Sequence, residues 1–377
     1  MIGVSPAAAP RVALVHYWLI AMRGGERVLE QLLDMFPGAD VFTHVYDPDK
    51  VSEKIRAANV RETFIGRLPG ARRHYQKYLP LMPMALEELD LREYDLVISS
   101  ESGPAKGIIT RPDALHLCYC HSPMRYLWDH YHDYKATAGT VSRALMPALF
   151  HRLRQWDVNS ASRVDGIVAN SHFIAQRIRK VWGREARVVH PPVAVDAFKP
   201  AGDVTDRYLW ISQMTPYKRA DVALEAFNRL GVPALMVGDG EMFDYVQTRA
   251  GPNVEVRKRL SFDELKRAYA TCRALVFTPE EDFGIVPVEA NASGRPVIAF
   301  GRGGVLDSIV DGRTGLFFHQ QTADALCECL HRFDAWLPSF DPEVAVSNAA
   351  RFSPQAFAAG IREALEFHSG HASRKVA

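Results

Sequence analysis

The sequence lacks both the long apolar runs of a membrane-spanning protein and the charge excess of a protein that binds polyanions. No apolar run reaches the roughly 20 residues that a helix needs to cross a bilayer, and the opening residues, MIGVSPAAAP, lack the apolar core of a secretory signal. We therefore expect a cytoplasmic protein, with peripheral attachment at the inner face of the cell membrane left open. The formal net charge is +1, which argues against a nucleic-acid partner.

Cysteine is scarce, and two well-known site motifs are absent. The five cysteines include two C-x-C pairs in apolar runs, without His or Asp at metal-ligand spacing. They are typical of buried thiols in a reducing compartment. No DxD-like motif stands in a suitable loop, so we expect no metal and no other cofactor. The loop after the first predicted strand reads AMRGGER instead of GxGxxG, which disfavours a nicotinamide-dependent oxidoreductase.

What the sequence does contain is a regular alternation of short β-rich runs and helical patterns. Predicted strands such as VALVHYWL, DLVISSE and ALHLCYCH precede HPPVAVDAFKPAGD, residues 190–203, where prolines and a glycine mark a hinge. The alternation then restarts with RYLWISQ. We predict an α/β protein with two doubly wound Rossmann-like domains, 1–195 and 196–352, that face each other across a cleft. A helix and tail, 353–377, are expected to pack back toward the first domain.

The strongest functional signal is the segment EEDFGIVPVEANASGRPVIAFGRGG, residues 280–304. Its acids Glu281 and Glu289 have seven residues between them. The first stands in a loop after a predicted strand, and the second stands about one turn inside a helix that begins near Ile285. Free N–H groups at that helix start form an anion site, and a carboxylate can grip a vicinal diol. Although the helix dipole alone favours acids here, the combination suits a sugar linked to a nucleoside diphosphate.

Residues outside this segment add candidates for the same ligand. Lys218 follows the strand and turn WISQMTPYK and opens the next helix, where its charge would balance a diphosphate; Arg219 is its neighbour. Gly24 and Gly25 follow the first strand and would let the backbone approach a ligand. His121 ends the strand ALHLCYCH, where Ser-Pro breaks the strand and leaves the imidazole at the cleft edge.

The chain resembles the retaining glycosyltransferases of family 4, which have the GT-B fold, along nearly its whole length. The markers of the resemblance are RGGERVLEQL, CHSPMRYLWD, VANSHFIAQRI, HPPVAVDAF, PYKRADVALEAF and the E-x7-E segment. Three blocks also resemble a subgroup of bacterial mannosyltransferases that build surface polysaccharide and O-antigen from GDP-mannose. These blocks are GGERVL, RPDALHLCYCHSPMRYLWD and EEDFGIVPVEA.

The resemblance implies a role for each candidate. Glu289 would bind the ribose hydroxyls and Glu281 the hydroxyls of the transferred sugar, and Lys218 would bind the diphosphate. His121 would contact the sugar 6-hydroxyl. The Phe283, Gly284 and Ile285 backbone would contact the sugar and diphosphate, and the Gly24–Gly25 loop would meet the diphosphate and the acceptor side. Lys258 and Arg259 belong to the loop that would frame the base. Arg219, beside Lys218, is a further candidate for the diphosphate.

One position departs from the family pattern. The family usually has an Arg five residues before the Lys, and this chain has Gln213 there. Because Gln carries no charge, either Arg219 compensates, donor affinity is lower, or the activity differs.

The predicted function is metal-independent transfer of a hexose with retained configuration, from GDP-mannose to a glycan or a polyprenyl-diphosphate-linked acceptor. A transferase that uses UDP-glucose or UDP-N-acetylglucosamine, a sugar-nucleotide epimerase of the same fold, and a noncatalytic nucleotide-sugar-binding protein are the alternatives. The sequence leaves the acceptor, the linkage and the oligomeric state open.

The segment Arg61–Pro80 combines basic and aromatic side chains. Its five basic residues stand against one acid, Glu62, with Phe64, Tyr75 and Tyr78 between them. Such a composition suits an anionic bilayer surface, which fits a lipid-linked acceptor. An ordinary solvated surface is the alternative.

Overall fold

The chain forms two compact α/β units. The computed structural model describes residues 10–375, with side chains described as far as residue 369; of the opening segment MIGVSPAAAP only Pro10 falls in this range. The first unit comprises Met1–His190 with Ala358–Ala377, and the second comprises Pro191–Phe357. The last strand of the first sheet ends at Val188 and the first strand of the second sheet begins at Tyr208, so the proline-containing segment 190–203 lies between the two sheets.

The first unit is built on a seven-stranded sheet in which every pair of neighbours is parallel. Its strands are β1 Val12–His16, β2 Asp40–Thr43, β3 Asn59–Glu62, β4 Leu96–Glu101, β5 Leu115–Cys120, β6 Gly166–Ala169 and β7 Arg187–Val188. Its helices are α1 Gly24–Met35, α2 Glu53–Ala57, α3 Ala71–His74, α4 Met82–Glu87, α5 Tyr131–Thr137, α6 Thr140–Ser162 and α7 His172–Trp182. Short 3-10 turns cover Pro48–Lys50, Phe64–Arg67 and Tyr75–Leu81.

The second unit is built on a six-stranded sheet that is also parallel throughout. Its strands are β8 Tyr208–Ile211, β9 Ala234–Val237, β10 Val254–Arg257, β11 Leu275–Phe277, β12 Val297–Phe300 and β13 Gly315–Phe318. Its helices are α8 Ala220–Leu230, α9 Phe243–Arg249, α10 Phe262–Thr271, α11 Ile285–Ala292, α12 Val305–Ser308, α13 Ala323–Trp336 and α14 Pro342–Ala350. Its 3-10 turns are Val195–Ala197, Pro216–Lys218 and Leu337–Ser339.

The terminal helix α15, Pro354–Lys375, begins in the second unit and continues into the first. The Ala356 N–H donates to the Ser353 hydroxyl at 3.3 Å, so Ser353 caps the start of the helix. Within the first unit the His368 ring of this helix packs against Gly166 of β6, so closely that a side chain at Gly166 would collide with the ring. Among the described helices, none is long and apolar enough to cross a bilayer.

Each sheet has one point where the strand order reverses. The orders are β3-β2-β1-β4-β5-β6-β7 and β10-β9-β8-β11-β12-β13, so the reversals lie between β1 and β4 and between β8 and β11. Connections on the two sides of a reversal leave in opposite directions, which opens a crevice at the carboxyl ends of those strands. The predicted site residues follow strands at or next to these two points, except Lys258 and Arg259, which follow the edge strand β10. The predicted α/β class with two doubly wound domains is confirmed.

Candidate functional site

The loop between β11 and α11 is held so that the start of the helix stays open. Gly284 caps α11 with φ of 89°, a conformation that strains any residue with a side chain. The Phe283 ring is buried in the core, where its centroid lies 5.3 Å from the centroid of the Phe352 ring. The Gly304 N–H donates to the Glu281 carbonyl at 2.8 Å. These contacts fix the loop directly before the first N–H groups of α11, which begins at Ile285, and N–H groups at a helix start are suited to binding an anion.

Glu281 and Lys218 form an ion pair at the reversal point of the second sheet. Lys218 ends the 3-10 turn after β8, and does not itself open helix α8 as predicted, while Glu281 follows β11. The Lys218 carbonyl accepts a hydrogen bond from the Thr278 hydroxyl at 2.9 Å, so the turn is tied to the end of β11. The two side chains are 11% and 21% exposed. The structure therefore brings together two residues that sequence reasoning assigned separately.

Glu289 is held by a residue that sequence reasoning missed. The hydroxyl of Tyr269, on α10, donates to Glu289 Oε2 at 2.7 Å. Tyr269 is fully buried, and burial together with the Glu289 charge raises its pKa well above the usual value. The carboxylate is thus oriented by a rigid donor while the residue itself is only half-buried. An aromatic residue on an amphipathic helix gives no sequence signal for this contact.

Arg219 has an unusual backbone and an occupied guanidinium. Among the described residues, Arg219 is the one residue other than glycine with a positive φ, 56°. Such conformations often mark functional sites. Its side chain pairs with Asp221 at 3.0 Å and reaches Gln321 Oε1 at 3.3 Å. Gln213 is exposed. Because the Arg219 guanidinium is paired with Asp221, it does not replace the positive charge that Gln213 lacks.

The expected base loop lies on the surface. Lys258 and Arg259 are exposed, and the Lys258 ammonium lies 4.6 Å from the centre of the Phe243 ring. The following helix begins with a capping box, in which the Ser261 and Glu264 side chains each accept a hydrogen bond from the other's backbone N–H. The structure thus supports the helix start but brings neither cation to the acids of the site.

In the first unit, Gly24 and Gly25 form the first turn of α1 rather than a loop. A side chain at Gly25 would lie 2.3 Å from the Tyr17 hydroxyl, so close packing already requires glycine there. His121 follows β5, and its Nε2 lies 2.9 Å from Ser100 Oγ. Burial, reinforced by nearby His16, lowers the pKa of His121 to about 3. The imidazole is therefore neutral at physiological pH.

The segment Arg61–Pro80 differs from the predicted surface in two respects. Arg61 lies on the edge strand β3, and its exposed side chain pairs with Asp40 at 3.5 Å, so an acid partly offsets its charge. Phe64, Tyr75 and Tyr78 are half-buried against a core cluster around Ile65, so they do not face outward. The exposed basic side chains without an acidic partner among the described residues are Arg67, Arg72, Arg73 and Lys77. The exposed apolar side chains beside them are Leu81 and Met84.

Two doubly wound α/β units with parallel sheets of seven and six strands are the architecture of the GT-B class of glycosyltransferase folds. Residues 22–197 match the family model for Glycosyltransferase Family 4, and residues 205–333 match the model for Glycosyl transferases group 1. The chain therefore carries the glycosyltransferase family 4 and group 1 domains in that order.

Individual proteins agree with this assignment. The alpha-1,3/1,6-mannosyltransferase alg2 of Schizosaccharomyces pombe is 26% identical over 272 residues, 59% of this chain and 52% of that protein. A D-inositol 3-phosphate glycosyltransferase of Mycobacteroides abscessus is 30% identical over 220 residues, 50% of this chain and 48% of that protein. The chain spans about half the length of the curated relatives it matches.

Solved structures match over the full length. Anabaena HepE in complex with UDP and glucose gives a TM-score of 0.69 at 16% identity, with 95% of this chain and 100% of that chain covered. The apo form of the lipopolysaccharide outer core galactosyltransferase WaaB gives 0.65 at 16% identity, with 94% and 99% covered. At these identities the likeness establishes the fold.

Proposed function

We propose that this protein is a retaining hexosyltransferase that moves mannose from GDP-mannose to a lipid-linked or polysaccharide-precursor acceptor. The observation that carries the proposal is the Glu281–Lys218 pair beside the open start of α11. It supplies a cation and backbone donors for a diphosphate next to an acceptor for sugar hydroxyls. The mannosyltransferase among the relatives favours mannose.

The donor residues have distinct roles in this proposal. Lys218 and the α11 N–H groups bind the diphosphate, Glu281 binds hydroxyls of the sugar, and Glu289, oriented by Tyr269, binds the ribose. The family resemblance assigns His121 to a sugar hydroxyl. Both acids are thereby used for binding, so neither serves as a covalent nucleophile in the way that retaining glycosidases use one.

The reaction balances without a protein acid or base. The bond between the sugar anomeric carbon and the diphosphate oxygen breaks as the acceptor hydroxyl attacks from the same face. The acceptor proton passes to the leaving phosphate oxygen. Lys218 and the helix start stabilise the charge that develops on that oxygen. Because Lys218 supplies the positive charge, we propose that no metal takes part, and activity abolished by EDTA and restored by magnesium would contradict this.

The exposed cations of the first unit support a lipid-linked acceptor. Arg67, Arg72, Arg73 and Lys77 lie near the exposed Leu81 and Met84 on consecutive short elements. Basic side chains next to apolar ones suit peripheral binding to an anionic membrane.

A binding and transfer panel tests the proposal. Thermal shift with GDP-mannose, UDP-glucose, UDP-N-acetylglucosamine, GDP and UDP should show the largest stabilisation with GDP-mannose, because ligand binding to the folded state raises the unfolding temperature. A preference for a UDP-sugar would support the alternative donor. Stabilisation by none of these, or an equal response from Glu289→Gln, would overturn the donor site.

Two further assays separate the remaining alternatives. Donor incubated without acceptor should keep its sugar unchanged, whereas an epimerase would convert it. Transfer to a polyprenyl-diphosphate-linked glycan should occur, whereas a noncatalytic protein would bind donor and never transfer it.

A further inference from the structure

Four polar side chains form a continuous chain along the carboxyl edge of the first sheet. His16 ends β1 and pairs across the ladder with Ser100 of β4. His16 Nδ1 lies 3.1 Å from Ser100 Oγ, and the same oxygen lies 2.9 Å from His121 Nε2. On the other side of the ring, His16 Nε2 lies 3.7 Å from Glu26 Oε1 of α1. The chain thus runs from a carboxylate to the imidazole of a predicted site residue.

All of these side chains except the last are buried. His16 and Ser100 are each 1% exposed and Glu26 is 2% exposed, whereas His121 is only half-buried. Hydrolases use the same residue types as a nucleophilic triad. Here the serine hydroxyl is enclosed and held between two imidazoles, so a substrate does not reach it. The arrangement is suited to orienting His121.

The carboxylate sets the direction of every hydrogen bond in the chain. Glu26 Oε2 accepts the Arg23 backbone N–H at 2.8 Å, and Oε1 lies 3.7 Å from His16 Nε2, which is too long for a hydrogen bond. That ring nitrogen is buried and has no hydrogen-bond partner among the described residues. The negative charge of the carboxylate therefore favours the tautomer in which the imidazole N–H, and not the lone pair, faces it. His16 Nδ1 is then an acceptor for the Ser100 hydroxyl, and Ser100 Oγ accepts from His121 Nε2–H.

The charge of Glu26 is maintained by its surroundings. Burial raises the pKa of Glu26, but the nearby His16 and the N–H groups at the helix start outweigh burial, so the pKa is lowered overall. Two tyrosine rings lie against these side chains: Tyr17 is stacked on His16 at 4.1 Å, and Tyr119 is edge-on to His121 at 5.1 Å. Burial raises the pKa of both tyrosines, so they stay uncharged.

We propose that Glu26 is a positioning residue that, through His16 and Ser100, fixes the proton of His121 on Nε2 and presents Nδ1 as a hydrogen-bond acceptor for a ligand hydroxyl. Only the ligand, a sugar hydroxyl, rests on the proposed function. The tautomer of His121 is a property of the ligand-free protein.

The decisive variant is Glu26→Gln, because it should reverse the whole chain. If the amide oxygen keeps the Arg23 N–H, the amide NH2 faces His16 Nε2 and donates to it. His16 then carries its proton on Nδ1 and donates to Ser100, whose hydroxyl donates to His121 Nε2. The His121 proton moves to Nδ1. Glu30→Gln is the matched control, since Glu30 lies on the same helix and pairs with the exposed Arg27.

Nitrogen NMR of protein labelled with 15N-histidine reads the tautomer directly, and His121→Asn identifies the resonance. In the wild-type protein and in Glu30→Gln we expect a protonated Nε2 and a bare Nδ1 on His121. In Glu26→Gln the two signatures should exchange. An unchanged His121 in folded Glu26→Gln would overturn the proposal.

Ser100→Ala provides a second test that does not depend on how Glu26→Gln folds. Without the hydroxyl, His121 should lose its fixed tautomer, and Glu26→Gln made in this background should no longer change it. A fixed Nε2 tautomer in folded Ser100→Ala would overturn the proposal.

Activity then separates this inference from the proposed function. If the wild-type protein transfers no sugar and the tautomer still reverses, the proposed function fails and the positioning chain stands. If transfer occurs, Glu26→Gln should raise the KM for donor more than it lowers kcat. An equal loss in Glu30→Gln would count against positioning.

Discussion

Replacing Glu281 with Gln should make the protein bind GDP more tightly, although Glu281 is proposed as a binding residue. In the ligand-free protein Lys218 is paired with Glu281. A diphosphate that takes Lys218 must first break this pair, whether or not a sugar is attached. The variant removes that competition and leaves the Lys218 charge available to the phosphates.

The size of the gain follows from the exposure of the pair. Two unit charges in ion-pair contact near a protein surface attract by ~4 kcal/mol before desolvation is counted, and fully exposed pairs retain ~0.2–1 kcal/mol. With side chains 11% and 21% exposed, the pair lies between these limits. A net of about 1–2 kcal/mol corresponds to GDP binding tighter by about 5- to 30-fold.

GDP-mannose should behave differently, because its sugar would use the carboxylate. Hydrogen bonds to a charged group contribute about 1.5–3 kcal/mol, and the amide replaces them with weaker ones. The loss offsets the gain, so affinity for GDP-mannose should be unchanged or lower and turnover should fall.

Calorimetric titration of both ligands at one salt concentration checks the difference. Glu280→Gln is the matched control, since it removes the same charge from the same loop but breaks a pair with exposed Arg302 at 2.8 Å. The reasoning is wrong if folded Glu281→Gln binds GDP no better than the wild-type protein, or if Glu280→Gln shows the same gain.

Three other outcomes are expected. Tyr269→Phe should weaken GDP binding by about 1 kcal/mol, close to fivefold, with little change in kcat. The reason is that Glu289 loses the hydrogen bond donated by the Tyr269 hydroxyl. An unchanged affinity in calorimetric titration would contradict this. Burial, with nearby positive charge, lowers the pKa of His116 to about 3. Between that pKa and the usual value of about 6.5, the folded state binds fewer protons than the unfolded state. The free energy of unfolding therefore falls as pH drops from about 6.5 toward 3. His116→Gln should flatten that fall in urea denaturation, and an equally steep fall would contradict it. Arg72→Glu combined with Lys77→Glu should weaken co-sedimentation with phosphatidylserine liposomes at least tenfold, at about 1 kcal/mol per cation, and binding indifferent to anionic lipid would refute membrane contact.

The parallel sheets could be predicted from the sequence because their strands are short apolar runs that need cover on both faces. β4 is buried along its whole length, as such a run requires. The ends were less accurate: the predicted strand VALVHYWL reaches Leu19, whereas β1 ends at His16. Propensity extends a strand through Tyr17 and Trp18, but pairing with β2 and β4 stops at His16.

The site could be predicted where a residue directly follows a strand, as Glu281 and Lys218 do. Partners from distant parts of the chain could not. Ser100 lies 84 residues from His16, and only the sheet order makes them neighbours. The pairing of Arg61 with Asp40 likewise depends on the contact of β3 with β2. Composition therefore overstated the basic surface, because it counted a cation that the fold pairs with an acid.

An acid lies next to a basic side chain at the reversal point of each sheet, but the two pairs differ in their exposure to a ligand. Each carries an acid next to a cationic or protonatable partner before any ligand arrives, because a half-buried charge without a partner is costly. In the second unit the Glu281–Lys218 pair remains partly accessible, so a ligand with both an anion and hydroxyls can replace each partner with a better one. In the first unit Glu26 and His16 are enclosed, so no ligand can separate them. They act on a ligand only through His121, by setting which of its ring nitrogens carries the proton. A sugar-free nucleotide satisfies Lys218 but leaves Glu281 unpaired. Such a pair therefore favours intact donor over released product, which helps the product to leave.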